Sequence, residues 1–169
     1  MSDLRVHKTK YINETKRVSF KYDGKNYFGY EGDTLASALL ANGVHLIGRS
    51  FKYHRPRGIM SCGSEEPNAI CQISDKNDLT EPNVRATEIE IYDGLEAFSQ
   101  NCWPNVKFDI GGINNLISPL IPAGFYYKTF MWPKSFWKKV YEPLIRMSAG
   151  LGKSPTEPDP DIYDHKYVH

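Results

Sequence analysis

The first part of the chain alternates hydrophobic and polar positions in a pattern that predicts a β-hairpin. Three hydrophobic residues stand at every second position among polar neighbours: Val18, Phe20 and Tyr22. Such alternation is typical of a strand with one buried face. Asp23-Gly24 is a hairpin turn signal, and residues 27–30 can return as the second strand.

A helix is predicted directly after the hairpin. Asp33 stands at a suitable N-cap position, and three apolar residues follow at helical spacing: Leu35, Ala38 and Leu39. Gly43 stands where a residue in the left-handed region ends many helices. We expect a helix over residues 33–42, with its Leu/Ala face packed on the hairpin.

Two further strands are predicted beyond a long loop at residues 48–68. The first covers residues 69–73, and a polar turn at 74–83 separates it from a half-exposed strand at 84–92, where Ile89 and Ile91 alternate with acidic residues. This order of elements is typical of a small α+β sheet with one helix packed across it: a hairpin, a helix, a loop and two strands.

The second half of the chain has a different pattern. Residues 101–127 are rich in Gly, Pro and Asn, so we expect irregular chain with one short helix near residues 113–117. An amphipathic helix is predicted from residue 134 or 135, interrupted by Pro143 and closed by Gly150 and Gly152. The aromatic run at 125–132 is interpreted as packing surface, with a cage for a ring system as the alternative.

These patterns divide the chain into four parts. We expect a flexible arm at 1–15, a sheet domain at 16–95, an extension with two helices at 96–152, and an extended Pro-rich, acidic linker at 153–169.

Charge and cysteine content restrict the class of protein. There are 21 Lys+Arg against 20 Asp+Glu, a formal net charge of +1, so no global field favours nucleic acid or a membrane surface. The sequence shows no signal-peptide pattern and no apolar run of about 20 residues. Three cysteines, an odd number, predict free thiols and a reducing, cytoplasmic location.

The long loop contains the candidate binding residues. Five potentially cationic side chains interleave there with Phe51 and Tyr53, and they are Arg49, Lys52, His54, Arg55 and Arg57. Cations beside aromatic rings suit a planar, anionic partner such as the phosphate end of a nucleotide or flavin. A solvated basic surface loop is the alternative interpretation of the same residues.

A metal site and a catalytic site are not predicted. A plant-type iron–sulfur cluster needs four thiolates, three of them spaced C-x₄-C-x₂-C. Counted from Cys62, the next two ligands fall on Pro67 and Ile70, and Cys71 misses by one residue. No zinc-ligand spacing, dinucleotide fingerprint, phosphate-binding loop or H-E-x-x-H motif occurs either.

Several long motifs carry a family resemblance. The stretch from Gly48 to Asn68 reads Gly-Arg-Ser-Phe-Lys-Tyr-His-Arg-Pro-Arg-Gly and then Ser-Cys-Gly-Ser-Glu-Glu-Pro-Asn. It resembles the amino-terminal domain of the α subunit of heterotetrameric sarcosine oxidase, as does the segment Pro-Leu-Ile-Pro-Ala-Gly-Phe-Tyr-Tyr-Lys-Thr-Phe-Met-Trp-Pro at 119–133. The match extends from about residue 15 to the end.

This resemblance implies a β-grasp, ferredoxin-like sheet over residues 16–95, related to iron–sulfur domains of opine and amino-acid dehydrogenases. The four ligand positions of those relatives correspond here to Cys62, Pro67, Ile70 and Thr87. Only the first is retained, so the resemblance also implies a domain without a cluster. A two-iron, two-sulfur electron-transfer domain of a related dehydrogenase is the alternative.

The resemblance further implies that the chain is a fragment ending before a Rossmann NAD-binding domain. The family oxidises sarcosine to glycine in a complex of α, β, γ and δ subunits that uses FAD, FMN, NAD and tetrahydrofolate. Within it, this part would hold no cofactor or catalytic residue of its own. It would shape a subunit interface and touch a flavin or NAD phosphate with its five cationic residues.

Overall fold

The computed structural model describes residues 4–5, 10–74, 80–116, 118–120, 132–148 and 158. In this part of the chain, a five-stranded mixed sheet carries one helix, and a separate two-stranded hairpin follows the helix. The strands are β1 (Asn13–Tyr22), β2 (Lys25–Glu31), β3 (Gly48–Arg49), β4 (Pro56–Arg57), β5 (Ile70–Ser74), β6 (Thr80–Arg85) and β7 (Glu96–Ser99). The helix is α1 (Leu35–Ala41).

The five strands of the sheet lie in the order β2-β1-β7-β5-β6. The β1–β7 pair is parallel, and the other neighbours are antiparallel. The core lies between this sheet and α1, where the largest fully buried apolar side chains are Phe20, Leu35, Leu39, Ile47 and Leu95. The α+β, ferredoxin-like fold predicted from the sequence is thereby confirmed.

The predicted hairpin is confirmed. Tyr22 pairs with Lys25, which leaves Asp23-Gly24 as a two-residue loop. Both loop residues have positive φ, 48° and 73°, as a type I′ turn requires. The predicted buried face is also present, since Val18, Phe20 and Tyr22 are all at most 5% exposed.

The predicted helix is present, but Asp33 is not its cap. Thr34 precedes α1, and its Oγ1 accepts a hydrogen bond from the Ser37 N–H at 3.2 Å. Asp33 is fully buried and instead accepts from the Arg5 guanidinium at 2.7 Å and from the Tyr30 N–H at 2.9 Å. The cap prediction was wrong because the Asp33 carboxylate is bound by Arg5 and Tyr30 instead of by the first N–H groups of the helix. Gly43 has the predicted positive φ, 73°.

The strand prediction for residues 84–92 was wrong beyond Arg85. The fourth strand of the sheet in chain order is β6, which begins at Thr80 inside the predicted turn. Ile89 and Ile91 instead bond to the backbone at the start of the helix, through Leu35 N–H to Ile89 O at 2.7 Å and Ile91 N–H to Asp33 O at 3.0 Å. The segment with alternating Ile89 and Ile91 therefore pairs with the chain at the start of α1 rather than with a strand of the sheet.

Strand β7 was not predicted, although it is the central strand of the sheet. Only Ala97 of its four residues is fully buried, so its pattern is too short and too weakly apolar to detect. The sheet thus continues to Ser99, past the predicted boundary at 95, and β1 begins at Asn13 within the predicted arm. The Leu4 N–H also bonds to Ala41 O at 2.9 Å.

The second half contains short helical segments. A 3₁₀ turn at Ile110–Gly112 leads into α2 (Ile113–Leu116), which confirms the predicted short helix, and a second 3₁₀ turn covers Ser118–Leu120. A π-helical turn at Trp137–Tyr141 leads into α3 (Glu142–Ser148). The predictions for Gly150, Gly152 and nearly all of the aromatic run and linker lie outside the described residues. No helix in the described ranges is long and apolar enough to span a bilayer.

Candidate functional site

The basic stretch folds into the β3–β4 hairpin. Gly48 pairs with Arg57 and Arg49 with Pro56. Ser50 closes the turn between them, because its N–H bonds to Arg55 O at 2.9 Å and its carbonyl accepts from the His54 N–H at 3.0 Å. The five candidate cations therefore occupy one compact hairpin rather than an extended loop.

Arg49 ties this hairpin to the segment that follows the sheet. Its Nε donates to Val106 O at 2.8 Å, and its two Nη atoms donate to Lys107 O at 3.1 Å and to His54 O at 3.2 Å. Asn101 adds a second tie, since its Nδ2 donates to the carbonyls of Arg49 and Ser50. The Arg49 guanidinium thus serves contacts within the chain.

His54 makes a third contact between the hairpin and the segment that follows the sheet. Its Nδ1 lies 2.7 Å from Asp109 Oδ2, and the two side chains are 11% and 1% exposed. Asp109 Oδ1 accepts from the backbone N–H groups of Trp103 and Gly111. His54 is therefore positioned as a partner of a buried carboxylate, and the sequence held no signal that paired it with Asp109, 55 residues away.

Lys52 and Arg55 lie on the ring of Tyr53. The Lys52 Nζ is 4.9 Å and the Arg55 Cζ 4.8 Å from the ring centroid, and both are cation–π distances. The Arg55 Nε also donates to Asn115 Oδ1 at 3.0 Å. The structure thus brings these two cations together around one aromatic side chain.

Arg57 has a different environment. It is exposed, and its guanidinium has no hydrogen bond or ion pair to any side chain in the described ranges. It lines a cavity of about 300 Å³ together with the half-exposed ring of Phe51 and the amide side chains of Asn68, Asn83, Gln100 and Asn101. The Asn101 Oδ1 is buried and accepts no hydrogen bond from a described residue.

The loop that leads from β4 to β5 contains Cys62, which is exposed. Cys71 is fully buried on β5, where burial raises the pKa of its thiol to about 12. Burial also raises the pKa of the Cys102 thiol, whose Sγ lies 3.3 Å from Ser99 Oγ. All three thiols are free.

These residues do not fit an iron–sulfur cluster. The whole sequence has three cysteines, one fewer than the cluster needs. Cys71 belongs to the hydrophobic core, with its thiol 3.7 Å from Val84 O. Within the described residues, no three His, Cys, Asp or Glu side chains are grouped so that they could hold a metal.

Glu66 lies at the centre of the loop and was not singled out by the sequence. Its side chain is buried, and its carboxylate accepts four backbone N–H bonds: from Met60 at 2.7 Å, Ser61 at 2.6 Å, Asn68 at 2.8 Å and Ala69 at 3.1 Å. Burial acts to raise the pKa of this carboxyl, but the four bonds outweigh it and hold the pKa below its usual value.

Comparison with known proteins identifies the family. The family model of the 2Fe-2S iron-sulfur cluster binding domain matches residues 15–102, more than half of the chain. The sarcosine oxidase subunit alpha of Rhizobium meliloti (strain 1021) is 56% identical over all 169 residues, and the chain spans 17% of that relative. The subunit alpha of Corynebacterium sp. (strain U-96) is 41% identical over 88 residues, which are 51% of this chain and 9% of the relative.

Among solved structures, the L-proline dehydrogenase from P. horikoshii is similar to half of this chain. The two share 27% sequence identity with a TM-score of 0.41, and the match covers 50% of this chain and 16% of that one. The match to the family model shows that the chain belongs to the family of 2Fe-2S iron-sulfur cluster binding domains, in a form similar throughout its length to the sarcosine oxidase subunit alpha of Rhizobium meliloti.

Proposed function

We propose that this chain is the amino-terminal module of a sarcosine oxidase α subunit and is itself non-catalytic. The observation that carries the proposal is the 56% identity along all 169 residues to a sarcosine oxidase subunit alpha. The chain spans only 17% of that relative, and in the proposal the oxidation of sarcosine to glycine and the FAD, FMN, NAD and tetrahydrofolate are assigned to the rest of the complex.

The non-catalytic role is supported by how the polar side chains are used. His54 and Asp109 are paired with each other and nearly enclosed. The exposed thiol, Cys62, has no hydrogen bond to a described base. Oxygen uptake by the purified chain with sarcosine and added flavins tests this role, and turnover by the chain alone would contradict it.

An interface role is supported by the apolar surface of the second half. Between residues 103 and 116, five large side chains are at least 45% exposed: Trp103, Phe108, Ile110, Ile113 and Leu116. Exposed apolar surface of this kind is typical of a contact with another protein surface. In the proposal, the remainder of the α chain and the β, γ and δ subunits cover it. The free thiols are consistent with a cytoplasmic complex.

Interface coverage can be measured by amide exchange. We compare the chain alone with the chain in a complex reconstituted from the remaining subunits. Residues 103–116 are expected to gain protection in the complex, whereas the exposed β1–β2 turn at Asp23-Gly24 serves as an internal reference. Equal exchange of residues 103–116 in both states would contradict the interface role.

A flavin or NAD phosphate contact is proposed for the cationic hairpin, with Arg57 as its most available cation. Arg57 faces a cavity that also offers an aromatic ring and several amide groups, and this combination suits a planar anion. Lys52 and Arg55 lie on the same hairpin, while Arg49 and His54 hold it in place.

The contact is tested by titrating the chain with FMN and with NAD at low and high salt. Binding is expected to weaken as salt rises, because the cation is exposed, and to be lost in Arg57→Ala. Lys25→Ala, which removes an exposed cation at the β1–β2 turn, is the matched control. Failure of both ligands to bind, in the chain and in the assembled complex, would remove this part of the proposal.

A two-iron electron-transfer domain is a second candidate, favoured by the family match at residues 15–102. The set of three thiols argues against it. Anaerobic reconstitution with iron and sulfide distinguishes the two candidates, because a stoichiometric two-iron absorbance spectrum would support the second and contradict the first.

A further inference from the structure

Glu66 is a buried carboxylate without a cationic partner among the described residues. Asp33, the other buried acidic residue of the sheet domain, is paired with the Arg5 guanidinium. Glu66 has only backbone N–H partners, and no described Lys, Arg or His side chain forms an ion pair with it. A buried charge is costly unless hydrogen bonds compensate it, so four such bonds to one carboxylate indicate a specific structural role.

The position of Glu66 defines that role. Cluster spacing counted from Cys62 places the next two ligands at positions 67 and 70. Glu66 lies between Cys62 and these two positions. Its Oε2 accepts from the N–H groups of Met60 and Ser61 on one side of the loop. Its Oε1 accepts from those of Asn68 and Ala69 on the other side. The backbone donors of the loop thus converge on one internal anion.

Iron–sulfur clusters are anionic groups whose sulfurs accept hydrogen bonds from the surrounding protein. We infer that the Glu66 carboxylate substitutes for the cluster as the anion that organises this loop, so that the loop folds without a metal. A loop organised by this carboxylate needs no cluster, whichever enzyme the chain belongs to.

A second contact closes the loop where a fourth ligand would act. The Thr87 Oγ1 donates to Gly63 O at 2.9 Å, and the Arg85 Nε donates to Glu66 O at 3.2 Å. The Thr87 hydroxyl therefore joins the start of the loop to the chain after β6. In a cluster-binding domain a metal–thiolate bond would make that connection.

The first test compares Glu66→Gln with Glu65→Gln in the full 169-residue chain. The amide introduced by Glu66→Gln can accept on one side only, because its NH₂ group faces two N–H donors on the other. We expect the melting temperature to fall by about 5 °C or more and amide exchange at residues 60–61 or 68–69 to accelerate at least about tenfold. The exposed neighbour Glu65 should tolerate the same change.

Two results of that test would overturn the inference. One is unchanged exchange at all four amides in Glu66→Gln, and the other is an equal effect of Glu65→Gln. If Glu66→Gln does not fold, Glu66→Asp replaces it. Its shorter side chain keeps the charge but reaches only one side of the loop, so faster exchange on the other side is expected.

The second test restores the missing thiolates. We compare Pro67→Cys/Ile70→Cys/Thr87→Cys with the same triple variant carrying Glu66→Ala, after anaerobic addition of iron and sulfide. The carboxylate and a cluster would need the same N–H donors, so the variant without Glu66 should incorporate at least several-fold more two-iron cluster, measured by visible absorbance and iron content. Equal incorporation in both variants, or failure of both to incorporate a cluster, would contradict the competition that the inference requires.

Discussion

His54 Nδ1 lies 2.7 Å from Asp109 Oδ2, and the imidazole is packed directly on the backbone of Gly111. A Cβ added to Gly111 would lie 2.2 Å from the ring, whereas one added to Gly112 would meet nothing within 4 Å. The absence of a side chain at Gly111 therefore allows His54 to reach Asp109. Gly112, the next residue, has no such role.

Gly111→Ala is expected to displace His54 and lower the free energy of unfolding by about 1–3 kcal/mol, the usual scale for a buried hydrogen-bonding group left without its partner. Urea unfolding measures the change, with Gly112→Ala as the matched control. Equal destabilisation by the two substitutions would contradict the role assigned to the His54–Asp109 contact, since Ala has a higher helix propensity than Gly.

Stability at low pH should depend on Glu66. Its pKa in the folded chain lies below the ordinary value of 4.5, so the folded state favours the charged form. This contribution to stability is fully present above the unfolded pKa and is lost as pH falls through the folded pKa. Glu66→Gln should therefore flatten the decrease in melting temperature below about pH 4.5, and an unchanged pH profile would contradict this.

Tyr22 donates its hydroxyl to Ile47 O at 2.7 Å inside the core. Tyr22→Phe keeps the packing but leaves a buried carbonyl without this donor, so we expect a loss of about 1–2 kcal/mol in the free energy of unfolding. Tyr27→Phe is a suitable control, because Tyr27 packs on Phe20 at 5.9 Å between ring centroids through its ring. A loss at Tyr27 equal to that at Tyr22 would refute the assignment.

The Arg5–Asp33 pair anchors the amino-terminal segment. The side chains are 6% and 0% exposed, and removing one member of a buried ion pair typically costs about 3–5 kcal/mol. Arg5→Ala should therefore cause a large loss of stability in thermal unfolding. Lys16→Ala, which breaks the exposed pair with Glu31, should leave the midpoint nearly unchanged, since exposed pairs contribute little.

The structure explains why some of these elements were predictable and others were not. The β1–β2 hairpin and α1 carry their own local signals, a two-residue turn and a helical apolar face. Strand β7 has four residues with one fully buried side chain, and it is a strand because β1 and β5 pair with its two edges. Ile89 and Ile91 had a strand pattern but bond to the segment that begins the helix.

The candidate site was also predictable in part. The sequence located the cationic stretch and, by counting thiols, argued against a cluster. It could not assign separate roles to the five cations, because those roles depend on contacts such as Arg49 with Val106 and His54 with Asp109. It also could not separate Glu66 from its neighbour Glu65, since both are acidic residues in one turn.

The sequence by itself thus determined the hairpin, the helix, the three free thiols and the family resemblance, because each depends on nearby residues or on composition. Only the tertiary structure decided which strand is central, which of the cations at the cavity is exposed and which carboxylate is buried. Those outcomes depend on backbone donors and strand edges that come together from distant parts of the chain, and the four N–H groups around Glu66 are the clearest case.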